Sequence, residues 1–210
     1  MYLGPTGRAP HACDGRARTH EDAKLLAAAS HDQAASVLAC YYGLGLHREH
    51  KPFTGARFDT WDSTGTRADD VNRFTADDLV AVSFLSVEVP PLAAVELLDT
   101  RADHFAARLI AVGPDRDLAT ETEPWAADWP GWLLWTALMG LPGVGATIAS
   151  KLYARKRPRL RPVYDTVVAK VIGSDNIWEP LRAELQRSPG LPPVWLILGA
   201  CGSQAASAVV

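Results

Sequence analysis

The chain has 210 residues, of which 48% are hydrophobic and 21% are charged, and its formal net charge is -3. This length fits one compact domain or one core split into two lobes, and the composition excludes wholesale disorder and a fibrous repeat. Because the chain as a whole is slightly acidic, a nucleic-acid surface would have to be a local basic patch.

The N-terminal segment and the cysteines bear on domain organisation and location. Residues 1–18 mix glycine, proline and arginine without an apolar block, which predicts a flexible arm, and not a signal peptide, ahead of a single domain over residues 19–210. The uncharged stretch at 188–210 is too interrupted by proline, glycine and serine to predict a membrane span. Wide cysteine spacing argues against a disulfide framework, a zinc site and an iron–sulfur cluster: Cys13, Cys40 and Cys201. We therefore expect a cytoplasmic monomer without a metal or cofactor.

Helical signals dominate the pattern along the chain. N-cap pairs at Thr19 with Asp22 and at Ser30 with Gln33 predict two early helices. Residues 43–73 are polar and irregular, which indicates a long loop with or without a short hairpin. Thr75 and Asp78 then cap a further helix that ends before Pro90. The helices predicted after it are 91–98, 103–112, 129–139, 146–156, 165–172, 178–186 and a last one after Pro193. Few segments alternate with period two, so the predicted fold class is all-α.

The most informative segment is Leu-Pro-Gly-Val-Gly at residues 141–145, hereafter the hairpin. Gly143 and Gly145 permit a tight turn and a close approach of the backbone to a ligand, and the helix that follows presents N–H groups to an anion. This pattern is typical of a helix-hairpin-helix that binds a phosphate, here over about residues 132–156. The alternative is a turn that only joins two packed helices.

A run of cationic residues follows the hairpin. Residues 151–161, hereafter the basic run, contain six cations and no acid: Lys151, Arg155, Lys156, Arg157, Arg159 and Arg161. This density predicts an exposed phosphate-binding surface and a steep salt dependence of DNA binding, with an ordinary solvated face as the alternative.

Asp165 stands at the start of the helix predicted after the basic run, within Pro-Val-Tyr-Asp-Thr. An aspartate in this place commonly does no more than cap a helix. The order of helix, hairpin, helix and Pro-Val-x-Asp-Thr nevertheless resembles the helix-hairpin-helix (HhH-GPD) base-excision DNA glycosylases, over roughly residues 129–173. The resemblance implies a two-lobed helical bundle. The segments FTADDLVAVSFLSV and ASKLYARKRPRLRPVYD are also similar to an actinobacterial family of unknown function.

The glycosylase resemblance implies roles for named residues. Asp165 would be the catalytic carboxylate, stabilising the sugar cation that develops as a flipped base departs. Contacts to the backbone of double-stranded DNA would come from Gly143, Val144, Gly145, Ala146, Thr147, Lys151, Arg155, Lys156 and Arg157. Lyase-competent members carry lysine where this chain has Thr147, eighteen residues before Asp165. We therefore expect a monofunctional enzyme. If a lyase activity exists, Lys151 is the first candidate for its nucleophile.

The base pocket departs from the family pattern. Tyr164 and Val167 replace the family's valine and histidine, and the four-cysteine cluster loop of several members is absent. Candidate pocket residues are Tyr164, Trp61 and Trp125, whereas Trp132 and Trp135 are predicted to pack in the core.

The substrate and the function class remain open at this point. Trp61 lies between Asp59 and Asp62 in a loop that also holds His47 and His50, a composition suited to a sugar. One hypothesis is therefore a hypermodified phage base such as glucosylated hydroxymethylcytosine, excised in antiviral defence, and the other is a damaged base in ordinary repair. The alternatives of a different class are a non-catalytic DNA-binding module and a helical interaction protein without a nucleic-acid partner.

Overall fold

The computed structural model describes residues 36, 39–44, 53–122, 126–166, 169 and 176–187, and these residues form helices, turns and irregular segments without a strand. The all-α prediction is therefore confirmed for the described part of the chain. The chain divides into two compact units, Met1–Lys51 and Pro52–Val210. This division places residues 19–51, which the sequence assigns to one domain with the rest, in the first unit. The predicted arm at 1–18 lies outside the described residues.

The first unit is described only at residue 36 and at 39–44. Residues 36 and 39–42 are helical, as the second early N-cap pair predicts. The rings of Tyr41 and Tyr42 meet edge to face at 5.0 Å. Cys40 is disulfide-bonded, which corrects the expectation of no disulfide. That expectation rested on spacing along the sequence, and spacing does not measure the distance between two cysteines in the folded chain.

The second unit contains the helices that position the candidate site. They are α1 (Ala76–Ser83), α2 (Pro91–Val95), α3 (Ala102–Val112), α4 (Pro130–Met139), α5 (Ala146–Lys156) and α6 (Trp178–Arg187). Single turns of 3-10 helix occur at Thr54–Arg57 and Leu118–Thr120, and a π-helical turn at Glu96–Thr100 continues α2.

Local signals account for the ends of these helices. The Thr75 N–H donates to Asp78 Oδ2 at 2.8 Å, so the predicted capping pair of α1 is confirmed. α3 ends at Gly113, whose φ of 82° suits glycine, as the sequence also predicts. α4 begins with Pro130, because proline lacks the N–H that a first helical residue leaves unbonded.

Other predicted elements differ from the structure or lie outside its described part. The helix predicted over 91–98 is α-helical only to Val95, and its remainder is the π-helical turn. In the helix predicted over 165–172, residues 166 and 169 are helical and the others from 167 to 175 are not described. The helix before residue 36 and the one after Pro193 lie outside the described residues.

α5 lies at the centre of the second unit, because it packs against both α1 and α4, while α3 packs on α4. Every residue of α5 from Ala149 to Lys156 is buried, including three cations. Trp135 is buried and Trp132 is half-buried against the same core, which confirms their predicted packing role. The core that α5 and its neighbours share contains these fully buried apolar side chains: Val82, Leu97, Phe105, Leu109, Leu134, Leu138 and Leu152.

Candidate active site

The hairpin before α5 is a closed turn with an exposed backbone. Val144 N–H donates to Leu141 O at 3.1 Å, and both side chains are buried and hold the turn on the core. Gly143 and Gly145 are exposed. Gly143 has a φ of 73°, and a Cβ there would lie 3.1 Å from Pro90 Cγ, so the fold itself requires glycine at this position.

The N-terminus of α5 presents backbone donors beside the hairpin. Gly145 is the N-cap residue and α5 has no side-chain cap, so the N–H groups of Ala146, Thr147 and Ile148 have no acceptor within the helix. A Cβ at Gly145 would meet nothing within 4 Å, so packing within the described chain does not require glycine there. The predicted phosphate contacts at Gly143, Gly145, Ala146 and Thr147 therefore lie together at one accessible end of α5.

Val144 does not fit its predicted role in contacting phosphate. Its side chain is only 6% exposed and anchors the turn. Its N–H is already used within the hairpin, so it has no donor to offer a ligand. Sequence analysis grouped Val144 with its neighbours because the turn was considered as a unit.

Asp165 lies beside a buried lysine. Its side chain is 37% exposed, and its Oδ2 is 4.0 Å from Lys151 Nζ, whose side chain is 4% exposed. Lys151 Nζ also donates to Leu85 O at 2.8 Å, where the chain leaves α1. Burial lowers the pKa of Lys151 and the Asp165 carboxylate opposes this shift. A half-exposed carboxylate and a buried ammonium thus meet on the side of α5 that faces the end of α1.

Two local features fix the position of this pair. The hydroxyl of the buried Ser150 lies 3.0 Å from Tyr164 O and accepts from Tyr164 N–H at 3.1 Å, so it holds the backbone next to Asp165 on α5. Ser86 has a φ of 60°, a left-handed conformation that is uncommon for serine, and it directly follows the Leu85 carbonyl that binds Lys151. Neither Ser150 nor Leu85 carries a signal that sequence analysis recognised.

The basic run does not form the predicted exposed surface. Lys151, Arg155, Lys156, Arg157 and Arg161 are all buried, between 0% and 8% exposed. Asp78 pairs with two of them, accepting from Arg155 Nε at 3.1 Å and from Lys156 Nζ at 2.5 Å. Arg155, Lys156 and Arg157 therefore do not present the exposed head groups that their predicted DNA-binding roles require, because their donors are bound inside the protein.

These cations instead hold the polar loop, defined here as residues 53–73, against the end of α5. Arg155 donates to the carbonyls of Phe58 and Trp61, and Lys156 donates to Asp70 O at 3.0 Å. Arg157 donates to four acceptors in two segments, namely Val71 O and Asn72 Oδ1 in the polar loop and Leu109 O and Gly113 O at the end of α3. Backbone carbonyls thus supply most of the acceptors, and a count of acids along the sequence cannot reveal them.

The remaining two arginines of the run are also engaged. Arg159 forms an ion pair with Asp117 at 2.5 Å and is partly exposed. Arg161 is 0% exposed, and burial lowers its pKa to about 10. Its guanidinium carbon lies 4.3 Å to 5.9 Å from the centres of five aromatic rings: Trp129, Trp132, Trp135, Tyr153 and Trp178. Four of the seven tryptophans therefore surround an internal cation.

The two predicted pocket residues that the structure describes, Trp61 and Tyr164, lie in different settings. Trp61 is half-buried, and its Nε1 donates to Asp77 Oδ1 at 3.1 Å while its ring meets Phe84 edge to face at 5.2 Å. Tyr164 is half-buried with its ring 5.9 Å from Trp178. Trp125 lies outside the described residues, as do His47 and His50 of the sugar hypothesis. The described contacts show Trp61 acting as an anchor of the polar loop.

Asp77 and Asp78 are the two residues beside the site whose structural role sequence analysis underestimated. Asp77 accepts from Trp61, from Ser63 N–H at 2.7 Å and from Thr64 N–H at 3.1 Å. These hydrogen bonds, led by the Ser63 hydroxyl, hold its pKa below the ordinary value. Two adjacent acids ahead of an acid-free basic run were a usable signal, because buried cations require counter-charges.

The described residues contain neither a metal-binding cluster nor a membrane-spanning helix. No group of three or more His, Cys, Asp or Glu side chains in them is arranged to hold a metal ion. None of the helices in that part of the chain has the length and apolar character needed to cross a membrane.

Comparison with known proteins identifies the family. No curated protein and no solved structure matches the chain. The resemblance to the DNA glycosylases therefore stays a prediction from the motif. The model of a family of unknown function, DUF6308, matches residues 34–192. Since this match spans most of the chain, the protein belongs to the DUF6308 family.

Proposed function

We propose that the protein is a monofunctional DNA glycosylase, which extracts one base from duplex DNA and hydrolyses its bond to the sugar. The observation that carries the proposal is the half-exposed Asp165 carboxylate, 4.0 Å from the buried Lys151 ammonium on the helix that follows the hairpin. The reaction needs a carboxylate, which Asp165 supplies. It also uses a fixed cation and backbone donors, and α5 supplies both.

The chemistry follows from the charge that develops on the sugar. As the bond between C1′ and the base nitrogen breaks, positive charge forms on the sugar, and the bonding electrons leave with the base. Asp165 stabilises that cation and accepts a proton from the attacking water, whose oxygen bonds to C1′. Lys151 attracts the Asp165 carboxylate across 4.0 Å and so helps to hold it in position.

Binding of the DNA is assigned to the hairpin. Backbone N–H groups of Gly145, Ala146 and Thr147 would donate to a phosphate oxygen at the positive end of the α5 dipole. Most cations of the basic run are buried, so this contact is made mainly by neutral donors. We therefore revise the expected salt dependence of binding from steep to shallow.

Strand cleavage is not part of the proposed reaction. Thr147 has no amine, and Lys151 is buried with its Nζ bound to Leu85 O and near Asp165. An amine in that state is poorly placed to attack a sugar carbon. An intact abasic strand is the expected product, and trapping of a covalent protein–DNA adduct with borohydride would contradict this.

The test compares base release from four duplexes: unmodified, alkylated, uracil-containing and glucosylated at hydroxymethylcytosine. Wild-type protein should generate abasic sites in one of the last three, and Asp165→Asn should lower that rate by about a hundredfold or more while DNA binding persists. Asp103→Asn is the matched control, because the Asp103 side chain is fully exposed on α3. Equal rates for Asp165→Asn and wild type would refute the mechanism.

The same panel distinguishes repair from defence. Release confined to the glucosylated duplex would support excision of a hypermodified phage base, whereas release of alkylated bases or uracil alone would support ordinary repair. Trp61→Ala tests the sugar hypothesis directly. Because Trp61 anchors the polar loop through Asp77, its variant must first be shown to fold as wild type does.

A non-catalytic DNA-binding module is the second candidate. It is favoured by one observation, namely that Asp165 O accepts from Ala169 N–H at 2.9 Å, which is the backbone geometry of a helix N-cap. On this alternative, wild-type protein binds duplex DNA but releases no base from any member of the panel.

A further inference from the structure

A pocket of about 360 Å³ lies between the polar loop and the C-terminal end of α5. We call it the Arg67 pocket. Its charged lining consists of Asp62, Arg67, Arg155 and Lys156, and Val71 and Pro158 form an apolar part of its wall. A volume of this size falls in the range of small-molecule sites, which begins at roughly 300 Å³. The pocket is at the opposite end of α5 from the hairpin.

Arg67 differs from the other cations of this pocket in having no partner of its own. Arg155 and Lys156 are neutralised in part by Asp78 and hydrogen-bond to carbonyls of the polar loop. Arg67 is half-buried, and among the described residues its guanidinium makes no hydrogen bond and no ion pair within 4.0 Å. Its donors therefore remain available to a molecule in the pocket.

The charged side chains that line the pocket favour an anion as that molecule. Burial and the neighbouring charge of Arg155 lower the pKa of Arg67, and Asp59, Asp78 and Asp62 oppose this shift. The lining contains three cations and one carboxylate, with Asp78 directly behind two of the cations. Asp59, Asp62 and Asp78 therefore oppose the three cations from around the pocket, but Asp62 is the only one of these carboxylates that lines it, so its charged wall is mainly cationic.

We propose that the Arg67 pocket binds the phosphate group of a nucleotide, with the Arg67 guanidinium as the principal donor. A guanidinium presents paired N–H groups that match two phosphate oxygens. The apolar wall at Val71 and Pro158 leaves room for the rest of the nucleotide. The phosphate belongs either to a free mononucleotide or to a DNA strand, and the proposal is independent of catalysis at Asp165.

The first test needs no variant. Phenylglyoxal modifies accessible guanidinium groups, and mass spectrometry reports the extent of modification at each arginine. Deoxyadenosine monophosphate or a short single-stranded oligonucleotide should slow modification of Arg67 specifically, relative to potassium chloride at the same ionic strength. Protection by the mononucleotide identifies a free nucleotide as the ligand, and protection only by the oligonucleotide identifies DNA. Equal modification of Arg67 in all three solutions would overturn the proposal.

The second test measures affinity by calorimetric titration with the ligand that protects. Arg67→Gln should weaken binding by about tenfold or more, because a charge-assisted contact is lost. Arg108→Gln is the matched control, since Arg108 lies on α3 and does not line the pocket. Unchanged affinity in Arg67→Gln would also overturn the proposal. Asp165→Asn should bind this ligand as wild type does, so failure of the glycosylase proposal leaves this result unaffected.

Discussion

The two ends of α5 use different chemistry although they are only three turns apart. At the N-terminal end the backbone is exposed, a glycine caps the helix and no side-chain cap is present. At the C-terminal end the backbone is covered, and Arg155 and Lys156 are buried with their charges paired to Asp78. The end that is poor in charged side chains is therefore the one suited to bind an anion, and the end that is rich in them stabilises the fold.

This difference shows that a run of basic residues can serve either DNA binding or the stability of the fold. A cation contributes to DNA binding only when its head group reaches solvent, whereas a buried one must be compensated by acids or carbonyls. Five substitutions, grouped in four experiments, test the comparison between the two ends, and they follow in order of expected effect.

Asp78→Asn should have the largest effect. It removes the counter-charge of Arg155 and Lys156 while leaving both buried. This loss should lower the free energy of unfolding by about 3–5 kcal/mol. Denaturation by urea measures the free energy of unfolding. Asp69→Asn, at an exposed position of the polar loop, should change it by no more than about 0.5 kcal/mol. Equal stability of the two variants would mean that the buried pairs do not support the fold.

Arg157→Gln should have the second-largest effect. It should lower the free energy of unfolding by about 2–4 kcal/mol, because it leaves buried carbonyls without their donor. The loss should be visible locally as faster amide hydrogen exchange in the polar loop. The matched change Arg108→Gln on α3 should leave exchange in that loop unaltered. Unaltered exchange in Arg157→Gln as well would show that the loop is held by other contacts.

Asp77 should make the stability of the protein depend on acidity. Its folded pKa is below the ordinary 3.8, so its contribution is present above that value and is lost as the pH falls through the folded pKa. Asp77→Asn should lower the free energy of unfolding by about 2 kcal/mol at neutral pH and by less in acid. The reason is that the N–H groups of Ser63 and Thr64 lose a charged acceptor. Unfolding measured between about pH 2 and pH 7 checks this; a constant difference between variant and wild type over that range would contradict it.

The two hairpin glycines should respond in opposite ways. Gly143→Ala should destabilise the protein by about 1–2 kcal/mol, because of its positive φ and the nearby Pro90 ring. Gly145→Ser should stabilise it by a few tenths of a kcal/mol, since serine is a better N-cap in open space. Thermal unfolding measures both changes. If Gly145→Ser were as destabilising as Gly143→Ala, Gly145 would be a structural requirement of the fold.

Sequence analysis performed best where a local rule decides the outcome. The start of α1 at Thr75, the stop of α3 at Gly113 and the bounds of α5 all follow from capping residues and periodicity. The hairpin and the approach of Asp165 to α5 depend on spacing within one stretch of chain. Such features need no knowledge of distant segments.

Prediction was wrong where long-range contacts decide. Nothing in the basic run shows that Arg155 reaches Asp78 and the Trp61 carbonyl, which are far away along the chain. Trp61 looked like an open stacking surface because its indole partner, Asp77, is also distant in sequence. The Arg161 guanidinium among five rings was likewise hidden, since periodicity marks aromatic residues as core without showing what they enclose.

The salt dependence of duplex DNA binding tests most directly whether the hairpin, and not the basic run, contacts DNA. The slope of log affinity against log salt is about -0.9 for each phosphate neutralised by a cation. Because the cations at the C-terminal end of α5 are buried, we predict a slope equivalent to about one or two phosphates, with weaker binding in Gly145→Ser. A slope equivalent to about five or six phosphates, unchanged in Gly145→Ser, would show that the basic run contacts DNA and would contradict the account.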